Sequence, residues 1–433
     1  MEAIPLKPHP EARSGSMNQG PRIIDSSETA DAVIVGGGMG GLLLALILAR
    51  GGRTVIIVER QPKLLPIARG ELLQPNGLRI LDRLGLLDKL KSLPAYPVHR
   101  FHFHRIGGRK LCTVDYQTLP PPWNYALIAR PHHLLNLLLD QLEQAGRARL
   151  LTETDFQELL FEHDTVVGIR AEQNGRTLEL RTPLVIGSDG AYSKVRRAMG
   201  IRSHLHAYRE GYLTMVVPSP PGFSNDARYY VGRGQILGLF PVSGSELYLF
   251  YMIDAADREA IKQRRVETVT AAIAKIDSAL TEPLRSVTAW DQVGYMPCVR
   301  VRAKRWTADG VALIGDAAHA MNPHVAQGRN QAMEDAAVLA EVIQESFTPG
   351  GFPKARLNRY ELERRPSVER LQRMGDELTL LWNTALPPLT WLRDRIFEGM
   401  ERHPDVRDRV LKTISGLEIR PMGMVNRLRV FLP

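Results

Sequence analysis

Read only for apolar and polar positions, the chain becomes regular near residue 31. Residues 31–35 (Asp-Ala-Val-Ile-Val) form a short apolar run suited to a strand buried on both faces. A glycine-rich stretch follows, then an apolar helical run over 42–50 that Gly51-Gly52 turns. Residues 54–59 predict a second buried strand ending on Glu59. The spacing over 78–90 is helical, and 101–106 with 110–116 alternate as a hairpin around Gly107-Gly108. Residues 126–130 lead into a helix opened by Pro131 and reaching 142. Further on, 152–161, 165–171 and 177–180 predict a β-meander, and 183–196 run from buried strand through polar turn to helix. The stretch 211–252 is strand-rich and aromatic (229–231, 236–240, 247–252) and predicts a separate sheet. Residues 311–316 are again strand, followed by a loop and a long helix from near Gly328, and 354–417 carry amphipathic helices.

This order predicts an α/β fold with five stretches. A disordered tail covers 1–29, and a Rossmann-like dinucleotide-binding domain covers 30–210 with inserted strands at about 98–125. A β-sheet substrate domain over 211–305 is interleaved before that first domain resumes over 306–345, and a helical C-terminal region covers 346–433. A chain of 433 residues needs more than one small core. Residues 33–49 contain no charge, yet they are shorter than the about 20 residues a spanning helix needs. Five of them are glycines clustered in the first half, which breaks a helix there. The N-terminal stretch has no apolar core and does not read as a signal peptide. Cys112 and Cys298 are too few and too far apart for a disulfide framework or a CxxC pair, which predicts a reducing, cytoplasmic setting. The net charge of +9 raises nucleic-acid binding, but the arginines are scattered and no nucleic-acid module accompanies them. A basic surface that attracts anionic cofactors, and acidic lipid at a peripheral membrane contact, accounts for the charge instead.

The glycines carry the first chemistry. In Gly36-x-Gly38-x-x-Gly41, Gly36 permits a tight turn, Gly38 lets pyrophosphate approach bare backbone, and Gly41 lets helix and strand pack closely. The helix N-terminus offers N–H groups and partial positive charge to phosphates. Glu59, about twenty residues beyond, suits ribose hydroxyls and argues against a 2′-phosphate. Gly36, Gly38, Met39, Gly40, Gly41, Glu59 and the adjoining Arg60 are therefore candidate cofactor-binding residues. This unit alone does not separate NAD from FAD.

Two further segments do. Gly187-Ser-Asp-Gly-Ala-Tyr-Ser-Lys-Val-Arg196 follows a strand, and Gly315-Asp-Ala-Ala-His-Ala-Met-Asn-Pro-His-Val-Ala-Gln-Gly-Arg-Asn330 precedes Asp335-Ala336. Together with the glycine turn, these resemble the single-component aromatic hydroxylases, the class A FAD-dependent monooxygenases with the fold of p-hydroxybenzoate hydroxylase. The match in order and spacing runs from about residue 31 to residue 345.

The resemblance implies FAD as cofactor, NADH or NADPH as co-substrate and O2 as oxidant. In that family NAD(P)H reduces the flavin and a C4a-hydroperoxide passes one oxygen atom to an electron-rich carbon. It implies that Asp316 bonds the ribityl hydroxyls, that Pro323 lies beside the isoalloxazine, and that the helix from Gly328 aims N–H groups at the flavin N1–C2 edge. Ala326, Gln327, Gly328, Arg329 and Asn330 then belong to the cofactor loop. Asp189 and Arg196 organise the turn and the approach of cofactor, or act as a local ion pair or cap. Arg69 and Arg130 match positions of FAD-contacting arginines. The usual motif reads Pro-x-x-Gly-Gln-Gly-x-Asn, so Ala326 replaces a glycine and keeps the loop only if its φ is negative. Arg329 fills a usually apolar slot and could meet phosphate, anionic substrate or solvent.

No catalytic triad or metal cluster is legible. His102 and His104 share a strand face without a third ligand and read as surface residues. His324 is the histidine to consider as proton relay or substrate contact, with a solvent-facing loop position as the alternative. Tyr230, Phe240 and Tyr248 would form a ceiling for a flat, lipophilic aromatic or heteroaromatic substrate of phenolic, quinolone-like or prenylated type. The helical tail with Leu380, Trp382 and Trp391 covers the pocket, packs on the core or rests on a membrane. Competing functions are an isoprenoid reductase or epoxidase of the same fold and a non-enzymatic prenyl-binding scaffold. A halogenase is excluded by the missing Trp-x-Trp-x-Ile. A second GxGxxG is absent, as expected for a reductant held transiently, and the protein is expected as monomer or homodimer.

Overall fold

The structure, a computed structural model, describes residues 26–64, 72–346, 351–420, 423 and 429–431. Its centre is a six-stranded sheet in the order Thr307–Ala308, Val311–Leu313, Val185–Gly187, Ala32–Val35, Val55–Val58, Ala148–Leu151. All pairs are parallel except the short edge strand 307–308. The three middle strands and Val55–Val58 are buried along their whole length, which is why they read as unbroken apolar runs. Helix Met39–Arg50 lies between Gly328–Ser346 and Pro131–Ala145. Its apolar residues from Leu42 to Ala49, save the half-buried Ile47, are sealed from solvent. The stretch expected as one helix over 78–90 is two, Pro75–Arg83 and Leu87–Lys91, because Gly85 at φ 65° breaks it.

The meander is Thr154–Glu162, Thr165–Gln173 and Arg176–Arg181, and a fourth strand, Ser26–Thr29, pairs with the last in parallel. Residues 26–29, expected in a disordered tail, are therefore a strand, and the rest of that stretch lies outside the described residues. The cause is the free edge of 176–181, whose unpaired N–H and C=O groups accept a polar segment that carries no apolar signal.

The second layer is a seven-stranded sheet in the order Gly294–Ala303, Ser203–Pro218, Glu246–Asp254, Ile236–Ser243, Ala227–Val231, Arg100–Arg105, Lys110–Asp115. The hairpin of 100–115 enters it by parallel pairing of Phe101–Arg105 with Ala227–Val231. The sheet begins at 203 and not at 211. Residues 203–207 are an exposed ribbon on 299–303, so no hydrophobic alternation announces them. The register shifts between Ala207 and Gly211, a bulge that turns Tyr208 and Glu210 inward. Helices Lys354–Trp382, Pro387–Arg402 and Pro404–Ile414 complete the chain, the first running through Pro366.

A buried ionic knot fixes the helices that carry the 315–330 loop. Asp335 is fully buried and accepts from the Gly315 N–H at 2.9 Å, from His319 Nε2 at 2.5 Å and from Arg364 Nε at 3.0 Å. Burial pushes this carboxyl upward, but His319 and Arg364 hold it below the ordinary range. Removing one member of such a set leaves a buried charge unpaired. Asp335→Ala is expected to cost about 3–5 kcal/mol in urea unfolding, and Arg364→Leu in the same background is expected to recover part of it.

Candidate active site

The glycine turn is built from contacts that a side chain would prevent. Gly36 holds φ at 104°, and a Cβ there would meet Ser188 O at 2.5 Å. A Cβ on Gly41 would stand 2.6 Å from Gly36 O, and one on Gly40 3.1 Å from Ala332 O. Gly38 differs, since its nearest neighbours are Ser188 O at 3.8 Å and Oγ at 4.0 Å. It is also the N-cap of helix Met39–Arg50, and no side chain caps that end. Three glycines thus close the turn against protein while the fourth, Gly38, opens a cradle of free N–H groups, which fits a pyrophosphate. At the rim, Glu59 Oε2 accepts from Gly37 N–H at 2.9 Å and Oε1 from Gln61 N–H at 2.9 Å. Each oxygen keeps a lone pair for a ribose hydroxyl. Met39 is half-buried beside this rim and Arg60 is exposed. Arg69 lies outside the described residues.

The 187–196 turn meets the 315–319 turn directly. Asp189 Oδ2 accepts from the N–H groups of Lys194 and Val195 at 2.6 and 3.1 Å. Arg196 donates to Ala191 O at 2.8 Å and across to Ala317 O at 2.6 Å. Asp189 and Arg196 are thus organisers of the backbone that bring the two segments together. Asp316 opens the short helix Asp316–His319 after Gly315, whose φ is 58°. Arg130 caps helix Pro131–Ala145 and pairs with both carboxylate oxygens of Glu246 at the sheet.

The loop that follows is braced on every side. Asn322 Oδ1 accepts the His324 N–H at 3.0 Å, and Pro323–Val325 form one 3-10 turn. Ala326 then adopts φ 49°, ψ 37°, the left-handed conformation that an alanine resists. The requirement for negative φ fails, and the loop is kept by bonds from Ala326 N to Pro323 O at 2.8 Å and from Asn330 Nδ2 to Ala326 O at 2.9 Å. Gln327 is fully buried and bonds Asn76 and the Ile414 carbonyl, while Asn330 Oδ1 accepts the Gln74 N–H. Their side chains brace the loop, which leaves the backbone start of helix Gly328–Ser346 to face a ligand. Arg329 is half-buried on its first turn.

Beyond the loop stands an aromatic wall. Phe103 stacks on Tyr229 at 4.9 Å and on Phe397 at 4.7 Å, and Phe240 stacks on Phe250 at 5.4 Å. Tyr229 also meets Trp382 at 5.8 Å. Phe240 and Tyr248 belong to this cluster as expected, but Tyr230 does not. Strand alternation puts Tyr230 on the opposite face, where its hydroxyl bonds Asp277 at 2.6 Å, and Tyr229 takes the inner position. His324 is buried and not solvent-facing. Its ring lies 5.1 Å from Trp382 and 6.1 Å from Tyr212, and Nε2 meets Asn383 Oδ1 at 2.8 Å. Tyr212, Asn383 and Glu210 were not legible as site residues, since they reach His324 only through long-range packing. His102 bonds Thr113 and Asp226, and the His104 ring lies tilted against Tyr230 with centroids 5.4 Å apart. Among the described residues no group of three or more ligands could hold a metal.

Two outcomes follow from this geometry. Ala326→Gly removes the left-handed penalty and is expected to raise unfolding stability by about 1 kcal/mol, less than the full penalty because glycine also frees the unfolded chain. Burial lowers the His324 imidazole from 6.5 to about 4, with the Asn383 bond opposing weakly. The unfolded chain therefore binds a proton that the folded one refuses, so this contribution is lost as pH falls from about 6.5 to about 4. Glu210, raised by burial, acts in the opposite sense. Comparing wild type with His324→Gln cancels that term, and the variant is expected to lose on the order of 3 kcal/mol of acid sensitivity in urea titrations over this range.

Comparison with known proteins bears on the family of the fold that carries this site. A family model described as an FAD binding domain matches residues 29–374. The 6-methylpretetramide 4-monooxygenase of Streptomyces rimosus is 30% identical, covering 79% of this chain and 82% of that protein. The 2-heptyl-3-hydroxy-4(1H)-quinolone synthase of Mycobacteroides abscessus is 27% identical, covering 81% and 90%. PqsL of Pseudomonas aeruginosa, solved in complex with 2-aminobenzoylacetate, superposes with a TM-score of 0.74 at 25% identity, covering 86% of this chain and 98% of PqsL. With the glycine cradle, the paired turns and the braced loop in one fold, the chain belongs to the FAD-binding-domain family as a class A, p-hydroxybenzoate hydroxylase-like FAD-dependent monooxygenase.

Proposed function

We propose that the enzyme uses NAD(P)H and O2 to place one oxygen atom on an apolar aromatic or heteroaromatic molecule bound between the seven-stranded sheet and the loop of 323–328. The observation that carries this is the stacked wall of Phe103, Tyr229, Phe240, Phe250 and Trp382 ending at the same loop as the cofactor residues. The chemistry supplied by the bound FAD is acceptance of reducing equivalents and activation of oxygen. The protein's share is holding, orienting and drying. Gly36–Gly41 cradle the pyrophosphate, Glu59 takes the ribose and Asp316 the ribityl chain. The backbone of 326–330 faces the ring edge, where its N–H groups favour negative charge. Arg130 sets the sheet against the cofactor domain through Glu246, and the aromatic wall excludes water from the reacting edge.

The substrate class draws support from relatives named for a pretetramide, a quinolone and an amino-hydroxybenzoate. A flat wall suits such rings better than a flexible isoprenoid, and an intact Glu59 disfavours a scaffold without flavin. No helix among the described residues is long and apolar enough to cross a membrane. A peripheral contact is supported by Leu380, Leu386 and Trp391, which are exposed close to the Trp382 end of the wall.

The test is purification followed by a screen of aromatic and quinolone compounds. Flavin absorbance, substrate-stimulated NAD(P)H oxidation with oxygen uptake, and a product heavier by about 16 mass units are expected. A colourless protein, or turnover without oxygen, sinks the proposal. Glu59→Ala is expected to weaken FAD binding by about 10- to 100-fold in titration of the apoprotein, the worth of hydrogen bonds to a charged acceptor.

A further inference from the structure

Glu210 is a buried carboxylate that the proposed chemistry leaves unused. The bulge between Ala207 and Gly211 turns it toward the loop, where its Oε1 accepts from Asn322 Nδ2 at 3.2 Å. An amide that gives its nitrogen to a carboxylate must show its oxygen at the other end. That oxygen accepts the His324 N–H. Asn383 repeats the logic from another element. Its Oδ1 contacts His324 Nε2 at 2.8 Å, and its Nδ2, which makes no hydrogen bond, lies on the side of Glu210 and Tyr212, where an amide nitrogen is favoured over an oxygen. The carboxylate thus bonds one amide and stands beside the other, and their oxygens reach the His324 backbone N–H and its ring Nε2 respectively.

The consequence is a fixed tautomer. A carbonyl oxygen only accepts, so Nε2 carries the proton and Nδ1 carries the lone pair. Nε2 is also 3.4 Å from the Tyr212 hydroxyl, while Nδ1 has no hydrogen-bond partner among the described residues. A ligand donor beside the aromatic wall would satisfy this lone pair.

We propose that His324 Nδ1 accepts a hydrogen bond from a phenolic hydroxyl or ring N–H of the substrate, with Asn383 and its neighbour Glu210 as positioning residues that set the tautomer and Asn322 holding the His324 backbone. This rests on the function proposed above and narrows it to neutral aromatic rings that carry a donor. The groups facing the imidazole are the neutral Tyr212 and Asn383, the Trp382 ring, and Glu210 behind the amides, whose carboxyl is raised by burial. With the ring itself held neutral, the imidazole offers an anion no positive charge. A shared hydrogen bond withdraws the substrate proton partway, which enriches the ring in electrons where oxygen is to be added, without forming an imidazolium.

The experiment uses the flavin-loaded enzyme and a matched pair of probes, 2-naphthol and 2-methoxynaphthalene. Calorimetry is expected to show 2-naphthol bound on the order of tenfold more tightly, and His324→Leu is expected to erase the difference. Nitrogen-15 spectra of histidine-labelled enzyme, assigned by loss of the His324 signal in the variant, are expected to show the proton on Nε2. Glu210→Gln, whose amide can turn either way, is expected to mix the tautomers and reduce the discrimination while the melting temperature stays near that of the parent. A proton on Nδ1, equal binding of the two probes, or no binding of either overturns the proposal. Discrimination that persists with no NAD(P)H oxidation on any aromatic compound would sink the monooxygenase reading and leave the histidine assignment standing.

Discussion

The cofactor side of this protein depends on irregular backbone held inside it by side-chain hydrogen bonds, and Asp335 is the first support. The chain from Gly315 to Gly328 is a short helix, a 3-10 turn and extended links, so few of its polar groups can find partners in a ladder. Side chains supply them instead. Asp335 takes the Gly315 N–H, Asn322 takes that of His324, and Gln372 gives its amide to the carbonyls of Val301 and Ala320. Asn330 and Gln327 close the far end against residues 72–76 and the Ile414 carbonyl. Each bond contributes about 1 kcal/mol net, and each buried group left unmatched would cost more. Together they explain how the loop tolerates Ala326 in a left-handed turn, since the strain of about 1–2 kcal/mol is smaller than what its bracing bonds would forfeit on release.

The support is shared between distant parts of the chain. Gln74 links the loop to the aromatic wall, because its backbone N–H reaches Asn330 while its side-chain oxygen accepts the Tyr116 hydroxyl at 2.9 Å. Tyr116 in turn packs on Phe101. Helix Lys354–Trp382 ties the same pieces from the other side, through Arg364 at Asp335 and Trp382 at His324. A disturbance of the wall is therefore felt at the cofactor loop through packed and hydrogen-bonded contacts, with no mobile lid required.

What the sequence discloses follows from how local each cause is. The glycine trio, the buried parallel strands and the acid after the second strand are read within thirty residues, because turn geometry and burial act at short range. The ribbon of 203–207 and the strand 26–29 are invisible, since edge pairing needs a partner and no apolar face. Tyr229 and Tyr230 are adjacent aromatics, and only the register of the strand decides which one faces the wall. His324 looks like a loop residue because what buries it, Trp382 and Tyr212, is far away in sequence. The positive φ of Ala326 is a property of the loop as a whole. Its glycine-to-alanine departure was visible, but not which way the backbone had resolved it.

Charge is divided in a way that matches two kinds of ligand. The net +9 belongs mainly to exposed arginines and lysines, a field that draws nucleotide phosphates toward the basic surface from a distance. The wall where an aromatic ring would rest is uncharged by contrast, with Tyr212 raised well above its ordinary range and His324 lowered to about 4, both by burial. Desolvation thus keeps the reacting end neutral while the outside remains strongly basic. In such a pocket a proton shared with a fixed acceptor distinguishes ligands more sharply than charge would, because long-range attraction is spent on phosphate and short-range geometry is left to the ring.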